Sequence, residues 1–468
     1  MRKLHLFDSV KKEKVLFEPI LNNDVKVYVC GPTVYDDAHL GHARSAIAFD
    51  LLHRVLKANN YNVTMSKNFT DIDDKIIKKM NETKQTLEEI TQYYINSYKS
   101  DMNKLNILEN TLEPKATQNL DIMIEMIENL QKKDIAYIIS DGVYFDTSKD
   151  NNYGNISHRA SDENSQARVE TNSEKRNSKD FALWKFQKEE NEISYPASFG
   201  RGRPGWHIEC SAMIDKHLAY KDKEFAIDIH GGGADLIFPH HENEAAQTRC
   251  SSNQHLAKYW MHNGFVNIDG EKMSKSLGNS FFLKDILKSY FGEVVRYYLL
   301  SAHYRADFNF NEEDLIVSKK RLDKLYRVKK RVYGLGKSSA NKQFKENLLD
   351  ALNDDLNTSK AISIVDEMVS NANETLDKEP KNKAFKKELV ANFEFIEEVL
   401  GVASNDAFKY FQFGISKEQI KKIEELILKR VEAKKNKDFE QADKIRDELS
   451  SFNISIMDTP NGVVWEKV

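Results

Sequence analysis

Apolar and polar positions alternate over residues 25–30, as they do in a half-buried β-strand. Apolar residues then recur at helical spacing over residues 45–56, and a second alternating segment occupies residues 61–65. A strand, a helix and another strand in this order predict an α/β fold with a doubly wound, Rossmann-like parallel sheet. A ligand would then bind above the carboxyl ends of the strands.

A long polar segment over residues 150–180 interrupts this pattern. It contains too few apolar residues to bury a core, so we predict that it is the exposed arm of an insertion. A further strand is predicted at residues 225–229, where the sheet resumes, and Pro239 is placed to begin a helix after it.

Long helical patterns replace the α/β pattern beyond residue 311. Residues 371–388 are weakly apolar and rich in charge, which predicts a linker or an exposed loop. Ser416 and Gln419 match a capping box that opens a further helix. The alternation over residues 452–465 suggests a small hairpin at the end of a mostly helical C-terminal region.

The composition indicates a multidomain protein of a reducing compartment. A chain of 468 residues with 40% hydrophobic content predicts about three domains. No apolar run approaches the roughly 20 residues of a membrane helix, and the first residues do not resemble a signal peptide. Three scattered cysteines fit no disulfide framework, so we expect a cytoplasmic protein without a membrane partner.

Two short segments could contact a nucleotide. His39, Gly41 and His42 lie between a predicted strand and a helix, where backbone N–H groups and the helix dipole favour phosphate. Lys272 and Lys275 follow a predicted turn and could neutralise the charge of a leaving pyrophosphate. Taken singly, each segment is better explained by a simpler interpretation, a helix cap for the first and a solvated lysine loop for the second. Together they are far more specific.

A metal site is also conceivable from the residue types. His240 and Glu244 are four residues apart and would share one face of a helix. With Cys30 and Cys210 they form a plausible tetrahedral zinc set, although the spacing of the cysteines resembles no zinc finger. Cys250 lies outside this set, and a cysteine packed in a helix is its simpler interpretation.

Seven segments in order along the chain resemble the cysteinyl-tRNA synthetase family of class I aminoacyl-tRNA synthetases. They are residues 30–35, 39–42, 68–74, 205–210, 231–236, 239–244 and 272–276. The resemblance covers essentially the whole chain. It implies ATP-dependent activation of L-cysteine, with ATP and magnesium as co-substrate, and transfer of the cysteine to the 3′ end of its tRNA.

The resemblance also implies roles for individual residues. The family's zinc ligands fall on Cys30, Cys210, His240 and Glu244, with one zinc ion per chain that recognises the substrate thiol. Thr70 and Trp206 match residues beside the bound amino acid. The resemblance further implies that His39, His42, Lys272 and Lys275 act on the phosphates, with Gly41 allowing close approach. His207, His230 and His241 resemble a histidine cluster around the metal, with ordinary core packing as the alternative.

Binding of tRNA is expected in the helical part, where basic residues crowd positions 319–331. A solvated helix face is the alternative interpretation. The resemblance and the patterns together divide the chain into five segments. They are a catalytic domain at residues 1–120 and 199–310, an inserted segment at 121–198, a helical tRNA-binding bundle at 311–405 and an anticodon-binding domain at 406–468. We expect a monomer.

Two competing interpretations remain. Ligases that join activated cysteine to a sugar amine resemble the catalytic half of this family but lack the anticodon region, so the residues beyond 311 argue against one. A tRNA-binding relative without activity would have no need of intact nucleotide and zinc motifs.

Overall fold

The computed structural model describes residues 3–158, 173–190, 192–268, 271–272, 282–459 and 462–467. Lys275, which the sequence predicts as a nucleotide contact, therefore lies outside the described residues. For Lys272 only the backbone is described, at the end of a short strand.

The strands are β1 (His5–Asp8), β2 (Glu13–Leu16), β3 (Asp24–Val29), β4 (Asn62–Lys67), β5 (Ala136–Ile139), β6 (Gly142–Phe145), β7 (Phe181–Phe186), β8 (Gly202–Pro204), β9 (Phe225–Gly233), β10 (His255–Asn263), β11 (Val266–Ile268), β12 (Glu271–Lys272), β13 (Phe308–Phe310), β14 (Ile454–Thr459) and β15 (Gly462–Lys467).

The helices are α1 (Leu40–Ala58), α2 (Asp74–Thr83), α3 (Leu87–Lys104), α4 (Leu120–Lys132), α5 (Trp206–His217), α6 (Glu242–Ser252), α7 (Leu283–Ser289), α8 (Gly292–Leu300), α9 (Glu312–Arg331), α10 (Lys342–Leu352), α11 (Thr358–Lys378), α12 (Lys383–Leu400), α13 (Ala407–Tyr410), α14 (Lys417–Lys435) and α15 (Phe439–Ser451).

The predicted parallel sheet is present and has the order β10-β9-β3-β4. Val27 pairs with Met65 on one side and with Ile229 on the other, and all three side chains are buried. Helix α1 connects β3 to β4 and begins at Leu40, before the predicted position, because His39 caps it. This arrangement brings the carboxyl ends of β3, β4 and β9 together at one edge.

The insertion carries a second sheet, which is antiparallel and has the order β5-β6-β7-β8. The described part of residues 150–180 is only partly the exposed arm that the sequence predicts, because about half of its residues are exposed and four are buried. Asp150 is buried beneath Arg249 of α6, and Ile156 packs in the same apolar cluster as Cys30. The polar composition does not reveal the buried positions, because polar side chains such as Asp150 form ion pairs with the catalytic domain. Residues 159–172 lie outside the described residues.

The C-terminal region is helical and ends in the antiparallel hairpin of β14 and β15, as predicted. Ser416 and Gln419 form the predicted capping box of α14. The predicted linker at residues 371–388 is wrong, since α11 and α12 occupy nearly all of it. Ala372 and Leu376 continue the buried face of α11, so a narrow apolar stripe holds the helix despite the charged surroundings.

Helix α6 does not begin at Pro239, as the sequence suggests, but at Glu242. An irregular turn over Ile237–His241 precedes it, and Phe238 within that turn has an extended backbone. Among the residues that the structure describes, none of the helices has the length and apolar character required to cross a membrane.

Candidate active site and metal centre

The loops that follow β3 and β4 meet at the carboxyl edge of the parallel sheet. The backbone N–H of Gly31 donates to Asn68 Oδ1 at 2.8 Å, and the N–H of Thr70 donates to the Pro32 carbonyl at 3.2 Å. A Cβ atom on Gly31 would lie only 1.6 Å from the Asn68 carbonyl oxygen, so this contact requires glycine. The close approach holds the loop after β3 against the loop after β4.

The structure brings the four predicted ligands, from three separate parts of the chain, into one buried cluster. Cys30 Sγ lies 3.8 Å from Cys210 Sγ on α5 and 3.5 Å from Glu244 Oε1 on α6. His240 Nε2 lies 3.6 Å from Cys210 Sγ and 2.9 Å from Glu244 Oε1. One donor atom from each of the four side chains falls within 4.8 Å of the others. The irregular turn before α6 still presents His240 beside Glu244.

Further histidines surround this cluster. His230 Nε2 lies 2.7 Å from Glu244 Oε2, and His207 Nδ1 lies 2.9 Å from His240 Nδ1. His241 Nε2 lies 3.4 Å from Cys30 Sγ, which gives a second set of four donors within 4.8 Å. That second set consists of Cys30, His230, His241 and Glu244. It shares two members with the first but contains only one sulfur.

Electrostatic interactions within the cluster favour negative charge. A hydrogen bond from the Cys30 thiol lowers the pKa of Cys210 to about 6, although burial opposes this shift. Burial raises the pKa of Cys30 well above its usual value. Burial also opposes ionisation of Glu244, but His240 and His230 hold the pKa of this carboxyl well below its usual range. A thiolate and a carboxylate at the centre are suitable partners for a cation.

The predicted nucleotide segment forms the N-terminal cap of α1. The backbone N–H of Gly41 donates to His39 Nδ1 at 3.0 Å, and the backbone N–H of His39 donates to His42 Nδ1 at 3.2 Å. The two rings stack with their centroids 3.8 Å apart. Because each Nδ1 accepts a hydrogen bond, the proton of each neutral ring resides on Nε2. Both Nε2 groups are therefore hydrogen-bond donors.

The cap of α1 is connected to the segment that follows the predicted lysine loop. The N–H of Leu283 donates to the Ala38 carbonyl at 2.8 Å, and Lys284 Nζ donates to Asp37 Oδ2 at 2.6 Å. The other oxygen of Asp37 accepts from Ser97 of α3 at 2.8 Å. Asp37 is not among the predicted residues, because nothing in its local sequence pattern indicates contacts with α3 and α7.

Thr70 and Trp206 approach the cluster through different neighbours. The buried Thr70 hydroxyl lies 2.8 Å from Glu209 Oε2 and 3.3 Å from the Asn68 amide. Trp206 stacks on His240 with a centroid distance of 4.2 Å, yet 40% of its surface is exposed. Asn68 and Glu209 were missed by residue-level reasoning, although each lies within a segment that carried the resemblance.

A model of the class I (C) tRNA synthetase catalytic domain matches residues 16–320, and a DALR domain model matches residues 348–404. Two solved structures share the fold. They are methionyl-tRNA synthetase from Mycobacterium tuberculosis with methionyl-adenylate (TM-score 0.58, 14% identity, 81% of this chain and 92% of that chain) and a LeuRS–tRNA–LeuAMS complex from Agrobacterium radiobacter K84 (TM-score 0.60, 11% identity, 84% and 86%). The parallel sheet and the catalytic-domain match define a class I aminoacyl-tRNA synthetase.

Curated relatives narrow the class. Cysteine–tRNA ligase of Aliarcobacter butzleri is 73% identical over 468 residues, with 100% of each chain covered. The enzyme of the same name from Nitratiruptor sp. is 63% identical over 464 residues, which cover 99% of this chain and 100% of the relative. The chain belongs to the cysteine–tRNA ligase family of enzymes.

Proposed function

We propose that this chain uses ATP to convert L-cysteine to cysteinyl-adenylate and then transfers the cysteine to the 3′ end of its tRNA. The observation that carries the proposal is the sulfur-containing donor cluster at the sheet edge that also holds Thr70 and the cap of α1. The family membership supports the same activity. The substrate would lie between Trp206 and Thr70, above the cluster.

Cys30, Cys210, His240 and Glu244 are proposed to hold one zinc ion per chain. Zinc–sulfur bonds of about 2.3 Å in a tetrahedron place two sulfur atoms about 3.8 Å apart, which the two cysteines match. The first donor set is preferred to the second because it includes both sulfurs. When bound, zinc supplies a soft Lewis acid that accepts the thiol of cysteine and finds a poorer donor in the hydroxyl of serine.

The protein residues around the metal would orient the ligands and the substrate. His230 bonds to Glu244, and His207 bonds to His240, so each fixes the orientation of one proposed ligand. The stack of Trp206 on His240 places an apolar wall over the cluster, which would exclude water from the bound amino acid.

The phosphates of ATP are proposed to lie over the N-terminus of α1. The Nε2–H groups of His39 and His42 would donate to phosphoryl oxygens, and Gly41 would allow the nucleotide to approach the backbone. Lys272 and Lys275, with magnesium, would stabilise the charge that develops on pyrophosphate. The substrate carboxylate attacks the α-phosphate, and the bond to pyrophosphate breaks. A hydroxyl of the terminal adenosine of the tRNA then attacks the carbonyl of the adenylate, the bond from this carbonyl to the phosphate breaks, and AMP leaves.

The tRNA is proposed to bind along α9 and the C-terminal region. Several cations of residues 319–331 already pair within the protein, as Lys319 does with Asp323 and Lys330 with Glu466. Lys320, Lys324 and Arg327 are exposed and form no ion pair with any described residue, so these three are the better candidates for phosphate contacts.

The five-segment domain division given above, a monomeric state and a cytoplasmic location are part of the proposal. Strand β8 pairs with β7 although it lies beyond residue 198, so the inserted sheet includes residues of the second catalytic segment. The sulfur atoms of Cys30 and Cys210 are 3.8 Å apart and form no disulfide bond, which is compatible with a reducing compartment. Light scattering of the purified protein tests the monomeric state.

The decisive experiment is cysteine-dependent exchange of labelled pyrophosphate into ATP by the zinc-loaded protein. We expect exchange with cysteine and at least about a hundredfold less with serine, because a site built around one polar contact discriminates strongly. Absence of exchange in folded, zinc-loaded protein would refute the proposal. Cysteinylation of tRNA, compared with cysteinylation of a sugar amine, separates this activity from that of a sugar-amine ligase.

A further inference from the structure

A cavity lies on the face of β3 that is opposite to the metal cluster. Its volume is about 530 Å³, which is within the range of small-molecule sites. Its walls come from α1, from the ends of β3 and β4, from α3 and from residues 107–113. The adjacent positions Val29 and Cys30 point in opposite directions, so Val29 lines this cavity and Cys30 the cluster.

Lys67 is the unusual residue of this cavity. It is the last residue of β4 and only 9% of its surface is exposed. Its ammonium group forms no hydrogen bond or ion pair with any residue that the structure describes, and lies 5.4 Å from the centre of the Tyr98 ring. The stem of Lys67 is buried, but its ammonium group lines the cavity without a counter-charge from any described residue.

The other charged groups in the cavity wall do not provide that counter-charge. Asp50 is bound by the guanidinium groups of Arg54 and Arg296, and Glu113 is paired with Lys99. Burial lowers the pKa of His53 to about 4, so this imidazole is neutral near pH 7.

The remaining acid of the wall, Glu109, has an exposed side chain. Among the described residues, Lys67 therefore gives the cavity wall a positive charge that no acidic side chain pairs.

The neighbours of this charge indicate what it would bind. Val29, Phe49 and Met65 give the cavity an apolar wall next to Lys67, and Asn103 and Asn110 add neutral hydrogen-bonding groups. We propose that the cavity binds a small organic anion, with its carboxylate or other acidic group on Lys67 and its apolar body against Phe49 and Met65. This site is separate from the proposed sites for ATP, cysteine and tRNA.

Calorimetric titration of the full-length protein tests the proposal with three probes at fixed ionic strength. Hexanoate carries the charge and the apolar body, hexanamide carries the body alone, and inorganic phosphate carries the charge alone. We expect hexanoate to bind saturably at one site per chain. Hexanamide and phosphate should each bind about tenfold more weakly or worse, since each lacks half of the recognition.

Two variants and one control locate the binding. Lys67→Met should weaken hexanoate binding about tenfold or more, and Ala46→Leu, which narrows the cavity while keeping the cation, should do the same. Lys57→Met alters an exposed lysine of the same helix α1 and should bind hexanoate like the unaltered chain. Circular dichroism verifies that each variant is folded.

Several results would overturn the proposal. The first is the absence of saturable hexanoate binding to the folded, unaltered protein. The second is hexanoate binding to both cavity variants that is as tight as to the unaltered chain. The third is phosphate binding as strong as that of hexanoate. Because Ala46→Leu retains the lysine, the proposal remains testable even if Lys67→Met does not fold.

Discussion

Adding one methyl group at Gly31 would show whether the metal cluster depends on the contact between the ends of β3 and β4. In Gly31→Ala the new Cβ would lie 1.6 Å from the carbonyl oxygen of Asn68, whereas Cβ atoms of folded proteins essentially never approach within 3.0 Å. The two loops must therefore separate by at least 1.4 Å (3.0 − 1.6). That movement displaces either Cys30, the preceding residue, or the segment from Asn68 to Thr70.

The size of this displacement sets the expected effect. Metal–ligand distances in a working site hold to about 0.2 Å, and a misplacement of about 1 Å in a catalytic site costs roughly a hundredfold in rate. We expect Gly31→Ala to lose about a hundredfold in cysteine-dependent pyrophosphate exchange. Zinc per chain should also fall if Cys30 is the residue that moves. Overpacking should destabilise the fold by only about 1–3 kcal/mol, so the variant is expected to fold.

The assay combines pyrophosphate exchange, elemental analysis for zinc and circular dichroism. Gly336→Ala is the matched control, because nothing lies within 4 Å of the methyl group that it adds. The control should retain full activity and zinc. If folded Gly31→Ala exchanges within about twofold of the unaltered chain, the close contact does not position the site and the reasoning is refuted.

Three further predictions concern other parts of the site and its support. Cys210→Ser should reduce the zinc content from one ion per chain to nearly none by elemental analysis. Cys250 lies outside the cluster, so Cys250→Ser should keep its zinc. An unchanged zinc content in Cys210→Ser would reject the ligand set. Lys284→Met should raise KM for ATP about two- to fivefold with little change in kcat, because the lysine of this ion pair is partly exposed although Asp37 is buried. Exchanging the charges of Asp37 and Lys284 should restore KM. Failure of both effects would exclude a positioning role. Asp50→Asn should lower the free energy of unfolding in urea by about 3 kcal/mol, because it leaves two buried arginines without their carboxylate. Burial opposes ionisation of Asp50, but the arginines hold its pKa below the ordinary value near 3.8. The contribution of Asp50 to the free energy of unfolding is therefore complete above about pH 4 and is lost as the pH falls further. If Asp50→Asn is destabilised by the same amount at pH 7 and at pH 3, this explanation is contradicted.

The candidate site shows how far local patterns extend. Residue types nominated Cys30, Cys210, His240 and Glu244 only as one possible metal set, and the family resemblance assigned the same four. The distances between them follow from neither the residue types nor the resemblance, because the residues come from a strand end, two helices and an irregular turn that meet only after folding. His262, which lies 2.7 Å from His241, had no signal in the sequence at all.

Helix continuity illustrates an error of the opposite kind. The stretch around Ala372 and Leu376 has a charged composition that predicts a loop, but burial of a narrow apolar stripe makes it helical. Composition averages over all faces of a helix, whereas stability depends on the one face that packs against its neighbours.

By itself, the sequence determined the order of strand, helix and strand, the capping box of α14 and the class of chemistry, because backbone periodicity and motif spacing are local properties of the chain. Only the tertiary structure decided how the ligands converge, why Gly31 must lack a side chain and that Lys67 has no ionic partner among the described residues. These features depend on contacts between residues distant along the chain, and their geometry is set by the packing of the whole sheet and its helices.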